Sequence, residues 1–238
     1  MKRSEEAVVL AGGLGTRLRS VVSDVPKPLA PVAGRPFLAW LLDRLAGQGV
    51  RRVVLATGYL ANKVEVEVGS CWSGMEIVYS VESEPLGTGG ALMQAIARLQ
   101  GQSLHVCNGD TWLRFSLREL EQATERQQAL AGMALARVPD TARYGAVSVQ
   151  GDRVLSFQEK GRVGPGFINA GSYFLPARGL DALNSLGSAG AFSLENAFLY
   201  PLAGRGQLAA TVDTSGFIDI GVPEDYAVAQ TLFASARE

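Results

Sequence analysis

Residues 7–31, A-V-V-L-A-G-G-L-G-T-R-L-R-S-V-V-S-D-V-P-K-P-L-A-P, constrain the fold of this chain more than any other stretch. Ala7, Val8, Val9, Leu10 and Ala11 make a short apolar run rich in β-branched residues, which predicts a strand buried on both faces. The run breaks into Gly12, Gly13 and Gly15. Glycine admits positive φ and lets backbone N–H groups approach a ligand with no Cβ in the way. A row of such amides cradles anions, phosphate above all. Arg17, Arg19 and Lys27 follow and supply fixed positive charge. A strand end, a glycine turn and three cations together describe a triphosphate site.

Three readings compete for the loop. A Walker A loop requires G-x-x-x-x-G-K-[ST], and no lysine follows Gly15, so that reading fails. A dinucleotide fingerprint requires an acid closing the second strand, and V-V-L-A-T at 53–57 has none at its end. A glycine-rich turn without a ligand is the third, and the cations and the K-P-L-A-P segment count against it.

The rest of the chain alternates strands with helices. Phe37, Leu38, Leu41, Leu42 and Leu45 recur at helical spacing, and Gly47 and Gly49 supply a stop. A strand follows at 50–57, a helix at 61–68, a strand at 76–81, a helix at 90–99 and a buried strand at 103–107, which runs into Asn108-Gly109-Asp110. Such alternation means βαβ units and a mainly parallel sheet. Ligands in these sheets gather at the carboxyl ends of the strands, and Gly12, Glu84 and Asp110 all lie just past apparent strand ends. After a helix at 116–128 the texture changes to short strands at 131–138, 145–150, 154–158 and 168–175, an antiparallel or mixed extension of the sheet. Helices are expected at 191–200 and at 223–236, where Pro223 suits a first turn. With no repeat and no long linker, residues 1–238 read as a single domain of two lobes, approximately 1–128 and 129–238.

Composition excludes several classes. With 238 residues there is ample chain for a buried core, and 47% apolar against 19% charged residues is ordinary for a globular protein. A net charge of −1 argues against a nucleic-acid-coating protein. No apolar stretch is long enough for a membrane span, and M-K-R-S-E-E puts acids where a signal peptide needs its apolar segment. Cys71 and Cys107 make neither a disulfide framework nor a metal cluster, which fits thiols in a reducing cytoplasm. His105, the single histidine, lies in an apolar strand and reads as structural. The sequence leaves room for a homo-oligomer.

Two acids stand out. Asp110 ends a buried strand, where it could cap a helix or ligate magnesium as a hard oxygen donor opposite cradled phosphates. Asp219 is flanked by Phe217, Ile218 and Ile220, where a carboxylate is costly unless it has a partner, and a metal is such a partner.

G-G-L-G-T-R-L at 12–18 followed by P-K-P at 26–28 resembles the nucleotide-binding signature of the sugar-1-phosphate nucleotidyltransferases, G-G-x-G-T-R-L…P-K. The resemblance implies a Rossmann-like three-layer α/β sandwich with a mainly parallel mixed sheet, the nucleotide-diphospho-sugar transferase or GT-A-like fold. It also implies a triphosphate wrapped by Leu10, Ala11, Gly12, Gly13, Gly15 and Thr16. Arg17 would contact the departing pyrophosphate and Lys27 would steady the phosphates. Asp110 and Asp219 match the family's acidic pair that holds Mg2+, with Asn108 and Gly109 beside the nucleotide. Glu84, Pro85, Gly87 and Thr88 match E-x-L-G-T-G-G-A, which lies along the nucleobase. Tyr144-Gly145, Glu159-Lys160 and Asn169-Ala170-Gly171 match Y-G, E-K and N-A-G on the sugar-phosphate side. There the glutamate and asparagine bond sugar hydroxyls and the lysine pairs with the sugar's phosphate.

The match extends from 7 to about 230. Where many relatives follow R-L with P-L-T, this chain has Arg19-Ser20-Val21-Val22. Together with K-P-L-A-P-V-A-G-R-P-F-L, S-V-E-S-E-P-L-G-T-G-G-A and G-F-I-D-I-G-V-P-E-D-Y, this resembles the D-glycero-α-D-manno-heptose 1-phosphate guanylyltransferases. The partners implied are a nucleoside triphosphate, GTP first, and a sugar 1-phosphate. The same chemistry on mannose 1-phosphate or N-acetylmuramate 1-phosphate, or with a uracil or cytosine nucleotide, stays open. So does a non-catalytic nucleotide-sugar sensor, although such modules typically lose a charged catalytic position and this chain keeps Arg17, Lys27, Asp110, Lys160 and Asp219.

Overall fold

The computed structural model describes residues 3–13, 15, 18, 21–22, 24–161, 163–187 and 190–235. In chain order the first half comprises β1 (Glu6–Leu10), β2 (Pro31–Val32), β3 (Arg35–Pro36), α1 (Phe37–Gly47), β4 (Arg52–Thr57), α2 (Ala61–Val68), β5 (Cys71–Trp72), β6 (Met75–Val81), α3 (Gly87–Ile96), β7 (Leu104–Asn108), β8 (Thr111–Arg114) and α4 (Leu117–Arg126). The second half adds β9 (Ala131–Val138), β10 (Val147–Gln150), β11 (Arg153–Phe157), β12 (Gly166–Leu175), α5 (Ala177–Asn184), α6 (Tyr200–Gly204), β13 (Leu208–Thr211), β14 (Ser215–Asp219) and α7 (Pro223–Ala234).

Among the described residues one ten-stranded sheet runs β10-β11-β13-β9-β12-β7-β1-β4-β6-β5. The strands β7, β1, β4 and β6 are mutually parallel, which places Leu10, Thr57, Val81 and Asn108 along one rim. Strand β12 joins this block antiparallel to β7, and β9 pairs antiparallel with β12. The fold is thus a three-layer α/β sandwich on a mixed sheet that is parallel through its nucleotide-loop half, and the expected extension by residues 131–175 is mixed, with β12 and β11 running against that block and β9 and β10 running with it.

The layers follow from period-two burial. In β1, Ala7 and Val9 face a core built with Leu38, Leu41, Leu42 and Leu45 of α1, Val64 of α2 and Leu120 of α4. Val8 faces the other way, toward Leu92 and Ala95 of α3, Leu183 of α5 and Leu202 of α6. Burial on both faces explains why this strand reads as a continuous apolar run rather than as an alternation. A third cluster joins Leu18, Val32 and Phe37 to Ile218, Ile220 and Phe233, so α7 packs back over the start of the chain. Cutting one of the buried leucines, such as Leu42, to alanine costs about 2–5 kcal/mol.

The sequence carries no expectation for β13, for α5, or for the small two-stranded sheet of β8 and β14. That last element, peripheral to the core, decides the geometry of the site.

Candidate functional site

The loop after β1 is anchored before it turns. Ala11 N donates to Ala56 O at 2.7 Å and Gly109 N donates to Leu10 O at 2.8 Å, so the ends of β1, β4 and β7 are tied together. Beyond them, Gly12 packs against Glu82 and Gly58. Gly15 has φ +59, a conformation that costs glycine nothing, and a Cβ there would stand 3.1 Å from Lys27 Cβ. The glycine loop therefore lies directly on Lys27. Thr16 and Arg17 lie outside the described residues.

Lys27 begins a short 3-10 turn, Lys27–Leu29, and reaches the two acids singled out above. Its ammonium donates to Asp110 Oδ2 at 2.6 Å and stands 3.7 Å from Asp219 Oδ1. The small sheet explains how residues so distant in sequence meet. Asp219 pairs in register with Thr111 where β14 runs antiparallel to β8, and Ile220 N donates to Asp110 O at 3.0 Å. Gly221 N donates to Asp219 Oδ1 at 2.7 Å. Burial, and next the charge of Asp110, push the Asp219 carboxyl above its ordinary value, while Lys27 and the Gly221 N–H pull the other way. Among the described residues Lys27 is the only cation within ion-pair distance of either carboxylate, and one ammonium cannot neutralise two, so the surplus there is negative.

That surplus fits a divalent cation. Magnesium is held by one or two protein carboxylates with phosphates and water completing its shell, and these two hard oxygen donors sit where the glycine loop can present phosphate. Among the described residues no group of three or more metal-ligating side chains forms, so they offer no closed cage.

The N-A-G segment lands beside the acids. Strand β12 has a register break against β9 between Asn169 and Ser172, and within it Gly171 lies against Asn108 at the end of β7. Gly171 takes φ +68, and a Cβ there would be 2.5 Å from Asn108 Nδ2 and 3.0 Å from Thr111 Oγ1. Gly171 N donates to Asn169 Oδ1 at 2.9 Å. Among the described residues Asn108 Oδ1 is buried with no hydrogen-bond partner, and a buried amide oxygen in that state costs about 1–3 kcal/mol, which makes it a polar group in want of a ligand.

Tyr144 also borders the acids. Its ring meets Phe217 edge-on at 5.7 Å, and its hydroxyl, pushed up to about 12 chiefly by burial, stands 3.4 Å from Asp225 Oδ2. Gly145 is fixed by close approach, since a Cβ would sit 2.7 Å from Gln158 O, which seats the Glu159-Lys160 corner beneath the Y-G turn. Both Glu159 and Lys160 are exposed. Glu84 and Pro85 are exposed as well.

Several residues that sequence reasoning passed over prove to organise the site. Glu82, two positions before Glu84, accepts from Leu86 N at 2.9 Å and lies against Gly12, so it ties the E-P-L-G-T segment to the phosphate loop. Its signal was weak: an acid in E-S-E-P one residue past a strand. Arg143 donates to both carboxylate oxygens of Asp225, at 3.2 and 2.7 Å, linking the Y-G turn to the first turn of α7. Glu195 joins Thr88 to Tyr173, and nothing near it in sequence marks it. His105 is fully buried, with Nε2 2.9 Å from Glu121 Oε1, as a structural histidine should be.

Comparison with known proteins bears on this geometry. A nucleotidyl transferase family model matches residues 6–235. The chain is 39% identical over 225 residues to D-glycero-alpha-D-manno-heptose 1-phosphate guanylyltransferase of Aneurinibacillus thermoaerophilus, covering 94% of this chain and 96% of that one. It is 38% identical to the protein of the same name from Campylobacter jejuni, covering 93% and 96%. The crystal structure of HddC from Yersinia pseudotuberculosis complexed with GMP-PN superposes with a TM-score of 0.82 at 35% identity, over 96% of this chain and 99% of that one.

Proposed function

The chain belongs to the nucleotidyl transferase family, and from that membership we propose that it transfers a guanylyl group from GTP to D-glycero-α-D-manno-heptose 1-phosphate, releasing pyrophosphate. The observation that carries the reading is Asp110 and Asp219 sharing Lys27 at the carboxyl rim of the sheet, against the glycine loop. The two named relatives and the GMP-PN complex support guanine and heptose over other bases and sugars. On this reading residues up to about 128 form the nucleotide lobe and the remainder the sugar-phosphate lobe.

An oxygen of the sugar phosphate attacks the α-phosphorus in line, and the bond to the pyrophosphate oxygen breaks. No protein nucleophile is required, because positioning and charge compensation account for this class of transfer. The amides of Gly12, Gly13 and Gly15 hold the phosphates, and Lys27 turns from Asp110 toward them. Tyr144, Gly145, Glu159, Lys160 and the N-A-G bulge seat the sugar phosphate, with Lys160 offsetting its charge. Asn108 and Gly109 line the nucleotide, and Arg17 belongs beside the leaving pyrophosphate. Asp110 and Asp219 would hold Mg2+, which would supply positive charge to let two anionic substrates approach.

The cysteines, both free, suit a reducing cytoplasm, and among the described residues no helix is long and apolar enough to cross a membrane. The deciding experiment is a matrix of nucleoside triphosphates against sugar 1-phosphates with magnesium, scored by pyrophosphate. GTP with the heptose phosphate is expected to dominate. Preference for mannose 1-phosphate would move the substrate assignment, and silence across the matrix would turn the reading toward a sensor.

A further inference from the structure

The residues of the two half-sites are joined by a chain of side-chain hydrogen bonds that passes through Glu195. Thr88, at the start of α3, donates from Oγ1 to Glu195 Oε2 at 2.7 Å and accepts from Leu194 N at 2.9 Å. Ser193 Oγ donates to the same Glu195 oxygen at 2.8 Å. The other oxygen, Oε1, accepts from Tyr173 OH at 3.2 Å, and Tyr173 OH accepts from Asn169 Nδ2 at 2.9 Å. Asn169 Oδ1 takes the Gly171 N–H. Four side chains thus run without a break from the L-G-T-G-G helix start to the N-A-G bulge.

The direction of each bond in that chain is fixed. Tyr173 is 1% exposed, and burial with the neighbouring Glu195 charge holds its hydroxyl well above the ordinary range. It can only donate to the carboxylate and accept from the amide, which fixes Asn169 with Nδ2 toward Tyr173 and Oδ1 toward Gly171. Asn169 is left with one N–H and one lone pair for a ligand.

The local backbone serves this arrangement. Residues 190–194 strap the start of α3: Phe192 N donates to Leu86 O at 3.0 Å and Gly89 N donates to Phe192 O at 2.9 Å. A Cβ on Gly87 would be 2.6 Å from Phe192 O and one on Gly90 2.7 Å from Gly190 O, so these glycines admit the strap. Residues Glu195–Leu199 then form a π-helical turn, a geometry uncommon outside functional regions.

We propose that Glu195 is a positioning residue that sets the Thr88 end of the nucleotide half-site and the Asn169 amide of the sugar half-site together. The proposal rests on the guanylyltransferase reading for the meaning of the half-sites, but the coupling is a property of the chain. Glu195→Gln separates the two ends. Its single carbonyl oxygen still accepts from Thr88 and Ser193, while its amide confronts the Tyr173 hydroxyl and removes that acceptor. KM for the sugar 1-phosphate then rises about tenfold with KM for the triphosphate unchanged, and Tyr173→Phe does the same. Adding Tyr173→Phe to Glu195→Gln brings little further change. Glu195→Ala raises both KM values.

A second measurement needs no turnover. The melting-temperature losses of Thr88→Val and Tyr173→Phe fall short of additivity when combined in the wild-type background and add fully when position 195 is alanine. Additive losses in the wild-type background, or equal rises of both KM values in Glu195→Gln, overturn the proposal. A chain that shows the non-additive melting pattern but releases no pyrophosphate with any substrate pair instead refutes the assigned reaction and leaves the coupling standing.

Discussion

The two rims of the parallel block are built from the same kinds of charge and end in opposite states. At the amino rim Arg52 lies 3.4 Å from Glu6 and also pairs with Glu76, Arg178 grips Glu125 at 3.0 Å, and Glu6 further accepts from Gln100 N and Gly101 N. A hollow of about 780 Å3 opens there, lined by Arg3, Arg51, Arg52 and Arg178 and by Glu5, Glu6 and Glu125, with Glu76 on Arg52 bringing the acids level with the arginines. At the carboxyl rim, among the described residues, Lys27 alone pairs with Asp110 and Asp219, and the Asp219 carboxyl is pushed up. Closure of charge on charge makes a structural end, and a shortfall of one positive charge makes a binding end. A large hollow is therefore a weaker pointer to chemistry than a small cluster with an unbalanced charge.

The strongest test of that contrast is Asp110→Asn. Turnover with magnesium is expected to fall on the order of a hundredfold or more, because the charge that draws the two anions together is lost. Near-normal pyrophosphate release would remove Asp110 from the metal site. Lys27→Met sharpens the same point with an effect of opposite sign in the ligand-free protein. Lys27 competes with the cation for both carboxylates, so manganese binding followed by electron paramagnetic resonance is expected to tighten by about tenfold, the equivalent of ~1.4 kcal/mol. Catalysis by that variant should nevertheless drop, since the phosphates lose their lysine. Weaker manganese binding would show that Lys27 builds the site rather than competing for it.

The amino half of the comparison is tested by pH. His105 is held below its ordinary value of 6.5, mainly by burial and against the opposing pull of Glu121. The unfolded chain therefore takes up a proton before the folded one does. Stability from this pair is full above about 6.5 and declines as pH falls below it, by up to ~1.4 kcal/mol per pH unit. Urea unfolding from pH 7.5 to 5 should show the slope in the wild type and a flatter profile in His105→Gln. Parallel profiles would place the acid sensitivity elsewhere. The smallest effect is expected at the exposed Arg143–Asp225 clamp, where Arg143→Ala should cost no more than ~1 kcal/mol of stability. KM for the sugar phosphate should rise a few-fold as the Tyr144 turn loosens, and an unchanged KM would make the clamp purely structural.

Much of this molecule could be read before folding. The run from Ala7 to Ala11 announced its strand because burial on both faces leaves no choice but apolar residues. The helices α1, α2, α4 and α7 begin and end within a few residues of their expected bounds, since stripes and stops are local properties. The π-helical turn at 195–199 lies inside a segment expected to be an ordinary helix, because i to i+5 bonding leaves no mark on apolar spacing. The acids Asp110 and Asp219 were conspicuous for equally local reasons: one ends a buried apolar strand and the other is a charge amid apolar neighbours.

Glu82, Glu195 and the Arg143–Asp225 clamp were not legible, because each does its work through a partner far off in the chain or across a turn. By itself the sequence determined most of the longer strands and helices and which acids and cations the chain has to offer, all consequences of short-range periodicity and residue type. Only tertiary structure decided that β14 lies antiparallel to β8 with Asp219 opposite Thr111, and that one lysine stands between two acids. Register between remote strands is set by the packing of the whole core, which no local window of residues contains.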